Sequence, residues 1–323
     1  MKIEAQFKQK VREAILADRE NYGGSDTAYA KRLKLSAAIY SQIKNGKIDK
    51  VLSDTQWLVI AHQLGVQVND NGWKVARTQV YTEIEDNLLY CKTYSKSMIL
   101  VDDCGIGKTF CARHIVKQQK NAFYIDCSQA KTKQQFIRLL AKTIGVDDTG
   151  RYVDVKAAIK MCLLYLEQPL VVLDEAGDLD YNAFLELKEL WNATQGECAW
   201  YMMGADGLRA KIESGIAHKK VGYAEIFDRF FDITTIVPQG TDDRKAFYIQ
   251  LLGDVATVNA KQQSDVDKLV RKCLNPSGKK DATASDMKRL RYLENLIKYT
   301  MSELERKRYA HQHYQQHYIY YNS

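Results

Sequence analysis

The chain has 323 residues, a formal net charge of +7, 46% hydrophobic and 27% charged residues, 18 glycines, 3 prolines and 7 cysteines. This composition excludes a collagen-like or disordered chain and leaves room for two or three domains with a sizeable core. The mild basic excess is compatible with a nucleic-acid partner; no signal-like or membrane-spanning apolar run occurs, so a cytoplasmic chain with no membrane partner is expected. The cysteines form no CxxC pair, and most sit within apolar runs, which predicts buried free thiols.

Residues 1–67 read as a small helical domain. Phe7, Val11 and Ile15 recur at spacings of four and share one helix face. Ser25-Asp26-Thr27 offers a cap ahead of a helix over 28–33, and Ser36 caps a second helix over 37–44 that stops at Asn45-Gly46. Ala30 is the small residue at the crossing, with Leu33, Leu35, Ile39 and Ile43 as shared core. A further helix over 54–64 turns Trp57 and Ile60 inward. Two short helices joined by a tight turn make a helix-turn-helix arrangement of phage-repressor type. In it Ser36, Ala37, Ala38, Tyr40, Ser41 and Lys44 face a major groove or its phosphates. The stretch also reads as a protein-interaction module, because the second helix exposes no arginine for base readout.

Residues 68–80 are polar and without helical period, and serve as a linker anchored by Trp73. A helix over 81–94 leads into an apolar strand, Met98-Ile99-Leu100-Val101, which runs into a turn and then a helix over 109–117. The turn ends in Gly107-Lys108-Thr109. Such a strand–turn–helix suits phosphates. Glycines let backbone N–H groups point inward, and the helix N-terminus adds its dipole. The backbone of Cys104, Gly105, Ile106 and Gly107, with Lys108, Thr109 and Phe110 at the helix start, would hold a nucleotide. Lys108 reaches the β- and γ-phosphates, and Thr109 gives its hydroxyl to Mg²⁺. The phosphate-loop pattern opens on glycine, whereas this turn opens on Asp102, which brings a negative charge near the phosphates. Pro169-Leu170-Val171-Val172-Leu173 ends in Asp174 and Glu175. Asp174 suits the Mg²⁺ shell, and Glu175 could polarise the attacking water. The alternative is a Gly-containing turn beside an acidic surface pair.

Strands over 122–126, 170–173 and 199–203 alternate with helices over 133–144, 154–166 and 181–194. That alternation predicts an α/β fold: a parallel sheet flanked by helices, with ligands at the carboxyl ends of its strands. Asp206 follows such an end and reads either as a γ-phosphate sensor or as a helix cap. Arg229 lies amid aromatics ahead of a last strand. From 242 to 308 the pattern is helical and includes an amphipathic helix opening at Asp286-Met287-Lys288-Arg289. In the low-complexity tail, His313 and His317 stand four apart with no carboxylate between them, a spacing best read as chance.

Together the phosphate loop, the LDE acid pair, the polar strand end, the arginine before the last strand and the basic helix in a helical C-terminal region resemble the AAA+ ATPases. With an N-terminal helix-turn-helix, the chain looks most like the MuB family of transposition ATPases, near relatives of TnsC and TniB. The resemblance implies a helix-turn-helix domain over 1–67, a linker over 68–80, an ATPase domain over 81–238, a helical lid over 239–310 and a tail over 311–323. It implies that Lys108 and Thr109 bind nucleotide and that Asp174 and Glu175 are the metal and water-activating acids. Arg229 would be an arginine finger reaching a neighbouring subunit, or a structural ion pair. Lys288 would be the second sensor, with Arg289 as the fallback. It implies ATP and Mg²⁺ as cofactors, a helical homo-oligomer on double-stranded DNA, and a transposase as partner. The loop after the second strand, with Lys131, Thr132 and Lys133, would straddle a DNA backbone; those residues equally suit a helix start. Two rivals stay open. One is a helicase loader of the IstB/DnaC kind acting on single strands. The other is a DNA-binding regulator in which Asp102 cripples hydrolysis.

Overall fold

The structure, a computed structural model, describes residues 3–66, 73–230, 233–278 and 287–300. By internal contacts the chain divides into two compact units. The first comprises Met1–Asn71, Glu83–Asp103 and Lys108–Thr235, the second Gly72–Thr82, Cys104–Gly107 and Ile236–Ser323.

The first unit opens with α1 (Ala5–Glu20), α2 (Asp26–Arg32), α3 (Ala37–Lys44) and α4 (Asp54–Leu64). The caps are those that serine chemistry favours. Ser25, Ser36 and Ser53 each accept an N–H of the first helical turn, and Gln56 completes a capping box with Ser53. Phe7, Val11, Ile15, Ala30, Leu33, Leu35, Ile43, Trp57 and Ile60 close one core, with Ile39 packed partly buried against it. Hydrogen bonds tie this helical cluster to the sheet-bearing part of the same unit. Asn121 N–H donates to the Asn21 carbonyl at 2.8 Å, and Asn21 Nδ2 donates to the Lys117 carbonyl at 2.6 Å.

After α5 (Gln79–Tyr94) come β1 (Ser97–Val101), α6 (Lys108–Lys117), β2 (Ala122–Asp126), α7 (Lys133–Ile144) and α8 (Tyr152–Tyr165). Next are β3 (Leu170–Asp174), α9 (Tyr181–Ala193), β4 (Ala199–Gly204), α10 (Asp206–Ala217), α11 (Tyr223–Phe227) and β5 (Ile233–Thr234). The five strands are parallel in the order β2-β3-β4-β1-β5. β1, β3 and β4 are buried at every position, as continuous apolar runs demand when helices cover both faces. β2, on the edge, alternates instead. Ile99, Val101, Phe123, Ile125, Val171, Leu173, Trp200 and Met202 line one face and pack with α7 and α9 residues such as Phe136, Leu140, Phe184 and Leu187.

In the second unit, α12 (Thr241–Asn259), α13 (Val266–Leu274) and a helix over 290–300 share a core of Leu252, Val255, Leu269, Cys273, Leu293 and Ile297. Trp73 and Ala76 pack on that core, and Asn259 bonds both the N–H and the carbonyl of Lys74. The helix expected to open at Asp286 begins at 290 among the described residues, whereas Asp286 and the tail with His313 and His317 lie outside them. All seven cysteines are free, and Cys104 is the exposed one. No helix among the described residues is long and apolar enough to cross a membrane.

Candidate functional site

The register of the sheet sets its carboxyl edge. Asp126 pairs with Asp174 across β2 and β3, and Val101 pairs with Gly204 across β1 and β4. Asp102 continues the second ladder by donating its N–H to the Gly204 carbonyl at 3.2 Å. The chain then turns through Gly105 (φ 79°) and Gly107 (φ 100°), left-handed conformations in which a Cβ would be strained. α6 starts at Lys108, so the N–H groups of its first turn have no intrahelical acceptor. The Lys108 ammonium is buried and donates to the Asp102 and Asp103 carbonyls, each at 2.7 Å. Asp102 is not among the positive-φ residues, so the glycine expected at this position is not required by the backbone. Its carboxylate accepts the Asp103 N–H at 2.7 Å.

Asp174 ends β3 at 2% exposure. Its Oδ1 accepts the Glu175 N–H at 2.9 Å, and its Oδ2 accepts the Tyr124 hydroxyl. Glu175 is exposed and sits in the left-handed region (φ 50°, ψ 40°), a strain of about 1–2 kcal/mol that redirects the chain sharply off the strand. Partial withdrawal of its carboxyl from water raises the pKa. The Asp174 charge adds to this, Lys108 opposes it, and Asp178 and Asp126 push it further up. Asp126 turns back on its own chain, accepting from Ser128 N–H and Oγ and from Gln129 Nε2.

Asp206 is the first residue of α10 and is exposed, beside the carboxyl end of β4. Arg229 is placed elsewhere. Its guanidinium lies 5.1 Å from the centre of the Trp191 ring and donates to Asn192 Oδ1, and Trp191 Nε1 donates to Ser97 Oγ at 2.9 Å. Ser97 opens β1, so this is the amino end of the strand, about 13 Å along it from the phosphate-loop end. The expected loop after β2 is engaged internally. Lys131 pairs with Asp178 at 3.1 Å, and its carbonyl accepts the Asp180 N–H. Lys133 Nζ lies 5.8 Å from the Tyr152 ring centre. Thr132 caps α7 in a capping box with Gln135. Thr132→Ala is accordingly expected to cost about 1 kcal/mol, read as a lower urea midpoint at unchanged m-value.

Within the second unit, Arg289 rather than Lys288 is applied to the turn. Its guanidinium donates to the Cys104 carbonyl and lies over the Tyr248 ring, while Leu290 N–H donates to the Gly105 carbonyl at 3.2 Å. A Cβ at Gly105 would come within 3.1 Å of the Arg289 Cβ. Lys288 is exposed, and its N–H goes to the Cys273 carbonyl, so Arg289, the fallback in the sequence reading, is the one whose side chain contacts the turn.

Among the N-terminal residues, Ser36 is spent as the α3 cap and Lys44 is exposed, paired with Asp26 at 2.9 Å. Tyr40 corrects the expectation of a groove-facing side chain. It is 2% exposed and packs edge-on against Tyr29 at 5.5 Å, because a ring one turn from Ile43 falls on the buried stripe of α3.

These residues fit a magnesium nucleotide. Within the first unit the start of α6 offers N–H donors, Lys108 offers a cation, and the Thr109 hydroxyl and the Asp174 carboxylate are hard-oxygen donors. Mg²⁺ needs only one or two protein ligands beside substrate phosphates. Among the described residues no group of three or more His, Cys, Asp or Glu could hold a metal. Two residues that bond to candidate site residues escape a reading of the sequence in different ways: Tyr124 reads only as strand, and Arg289 stands second to Lys288. Residues 91–212 match the family described as AAA domain. No curated protein matches the chain. The match takes in Lys108, Asp174, Glu175 and Asp206, and leaves Arg229 and Arg289 outside it. It supports a nucleotide-binding ATPase built on this sheet.

Proposed function

We propose that the chain is an ATP-dependent DNA-binding ATPase that assembles as a filament on duplex DNA, marks transposition target sites and recruits or stimulates a transposase. The observation that carries the ATPase part is that the Asp174–Glu175 pair at the end of β3 and Lys108 at the start of α6, just past β1, lie at one edge of a parallel sheet, where the Lys108 charge opposes the rise in the Glu175 pKa. In this reading the first-turn N–H groups of α6 and Lys108 hold the β- and γ-phosphates, and Thr109 and Asp174 hold Mg²⁺. When bound, Mg²⁺ supplies neutralisation of the charge that builds on the phosphates. Glu175 orients the water and takes its proton at a carboxylate oxygen. Arg229, a strand length from its own phosphate loop, serves the site of a second copy, which ties turnover to assembly.

The DNA and transposition parts are supported by the capped α2–α3 pair ahead of the ATPase and by the basic net charge. With Tyr40 internal, the second helix presents small and polar side chains, which suits backbone or shape contact better than base readout. The test is phosphate release from ATP, measured alone, with duplex and with single-stranded DNA. Duplex-stimulated turnover of several-fold is expected. Stimulation by single strands alone would favour the loader, and nucleotide binding without turnover in any condition would favour the regulator.

A further inference from the structure

The buried acid at the end of β3 is held at both oxygens by atoms of other residues. Oδ1 of Asp174 accepts the Glu175 N–H, and Oδ2 accepts the Tyr124 hydroxyl. Tyr124 stands on β2 opposite Val172, two residues before Asp126, the register partner of Asp174. Its ring is in turn covered. The Arg113 guanidinium, from α6, lies 4.8 Å from the ring centre and reaches Asp126 Oδ2 at 3.4 Å. A chain of contacts therefore runs from the helix after the phosphate turn, through a cation over a tyrosine ring, to one oxygen of the candidate metal-binding carboxylate.

A carboxylate at 2% exposure is costly unless its lone pairs are satisfied, and a satisfied one is locked in a single rotamer. Partners that bond to a metal-binding group tune affinity almost as strongly as the ligands themselves. Tyr124 is such a partner, reached from an edge strand.

We propose that Tyr124 is a positioning residue for the divalent cation: its hydroxyl orients Asp174, and Arg113 holds the tyrosine ring in place from α6. The inference rests on the nucleotide reading of this edge. The same contacts would also serve a latch, in which Tyr124 competes with the cation for Asp174, and the two roles differ in sign.

The experiment is a binding titration of the full chain with a fluorescent ADP analogue, without Mg²⁺ and at increasing Mg²⁺. Tyr124→Phe keeps the ring under Arg113 and removes only the hydroxyl. The expected result is Mg²⁺-free affinity within about twofold of the parent and a Mg²⁺ midpoint raised about tenfold. An unchanged midpoint, a lowered one, or an equal loss of affinity with and without Mg²⁺ would overturn the proposal. Thermal melting without nucleotide checks the fold. If Tyr124→Phe folds poorly, the exposed Arg113→Met carries the same test, with a rise of about threefold expected and no rise overturning it. If the parent chain binds no nucleotide with or without Mg²⁺, the nucleotide reading itself fails. If the parent responds to Mg²⁺ and the variants match it, only the role of Tyr124 fails.

Discussion

Lys108→Ala is expected to lose nucleotide binding by about 100-fold or more while remaining folded. The ammonium donates to two main-chain carbonyls of its own loop, at Asp102 and Asp103. Removing it strips a donor from that pair, which costs on the order of 1–2 kcal/mol of stability. Its contribution to a bound polyphosphate is larger, because charge-assisted bonds from a buried cation are the strong ones and no other group at the helix start carries its charge. Thermal melting separates the two effects. A ligand that binds only the folded state stabilises by about 2.7 kcal/mol at 100 times its dissociation constant. The parent should show a rise of that order with magnesium nucleotide, and Lys108→Ala should show none, from a starting melting temperature only a few degrees lower. A full-sized rise in the variant would remove Lys108 from the phosphates and with it the reading of the β1–α6 turn.

How much of the chain is legible in its sequence depends on how strongly each stretch is constrained. β1, β3 and β4 are apolar at nearly every position, and only a strand buried on both faces needs that. α3 and α4 are bracketed by serine caps and by Asn45 or Gly65, so their limits can be read directly. Tyr40 misleads because a tyrosine suits a groove and a core alike. Its neighbour across the core, Tyr29, comes from a different helix and is invisible to periodicity. Lys288 and Arg289 look alike in sequence because residues 287–289 precede the helix over 290–300, where helical spacing no longer says which side chain faces inward. Thr132 carries a clear capping signal, with Gln three residues on, which competes with its reading as a phosphate contact. The Tyr124–Asp174 bond joins residues 50 apart in sequence and depends on strand register, which an isolated stretch of β2 does not disclose.

The left-handed turn at Glu175 is equally hidden, since two acids after an apolar run mark where the strand stops but not the backbone conformation that follows, and it bears on the last expected result. Glu175→Gln should retain magnesium nucleotide with near-parental affinity and lose turnover by about 100-fold or more, the scale of a general base. The substitution keeps size and backbone conformation and removes only the proton-accepting carboxylate. The Glu175 N–H still donates to Asp174 Oδ1, so the neighbouring acid stays positioned. A companion, Glu175→Gly, separates chemistry from strain. A non-glycine residue at φ 50° costs about 1–2 kcal/mol, and glycine gives back about 0.5–1 kcal/mol of that in chain entropy. Glu175→Gly should therefore be at least as stable as the parent in a melt and yet as inactive as Glu175→Gln. Such a pairing, stability kept or raised while phosphate release is lost, is what a strained residue held for catalysis produces. Should Glu175→Gln turn over ATP at the parental rate, another group must take the proton, and the strain at 175 would belong to the turn after β3 alone.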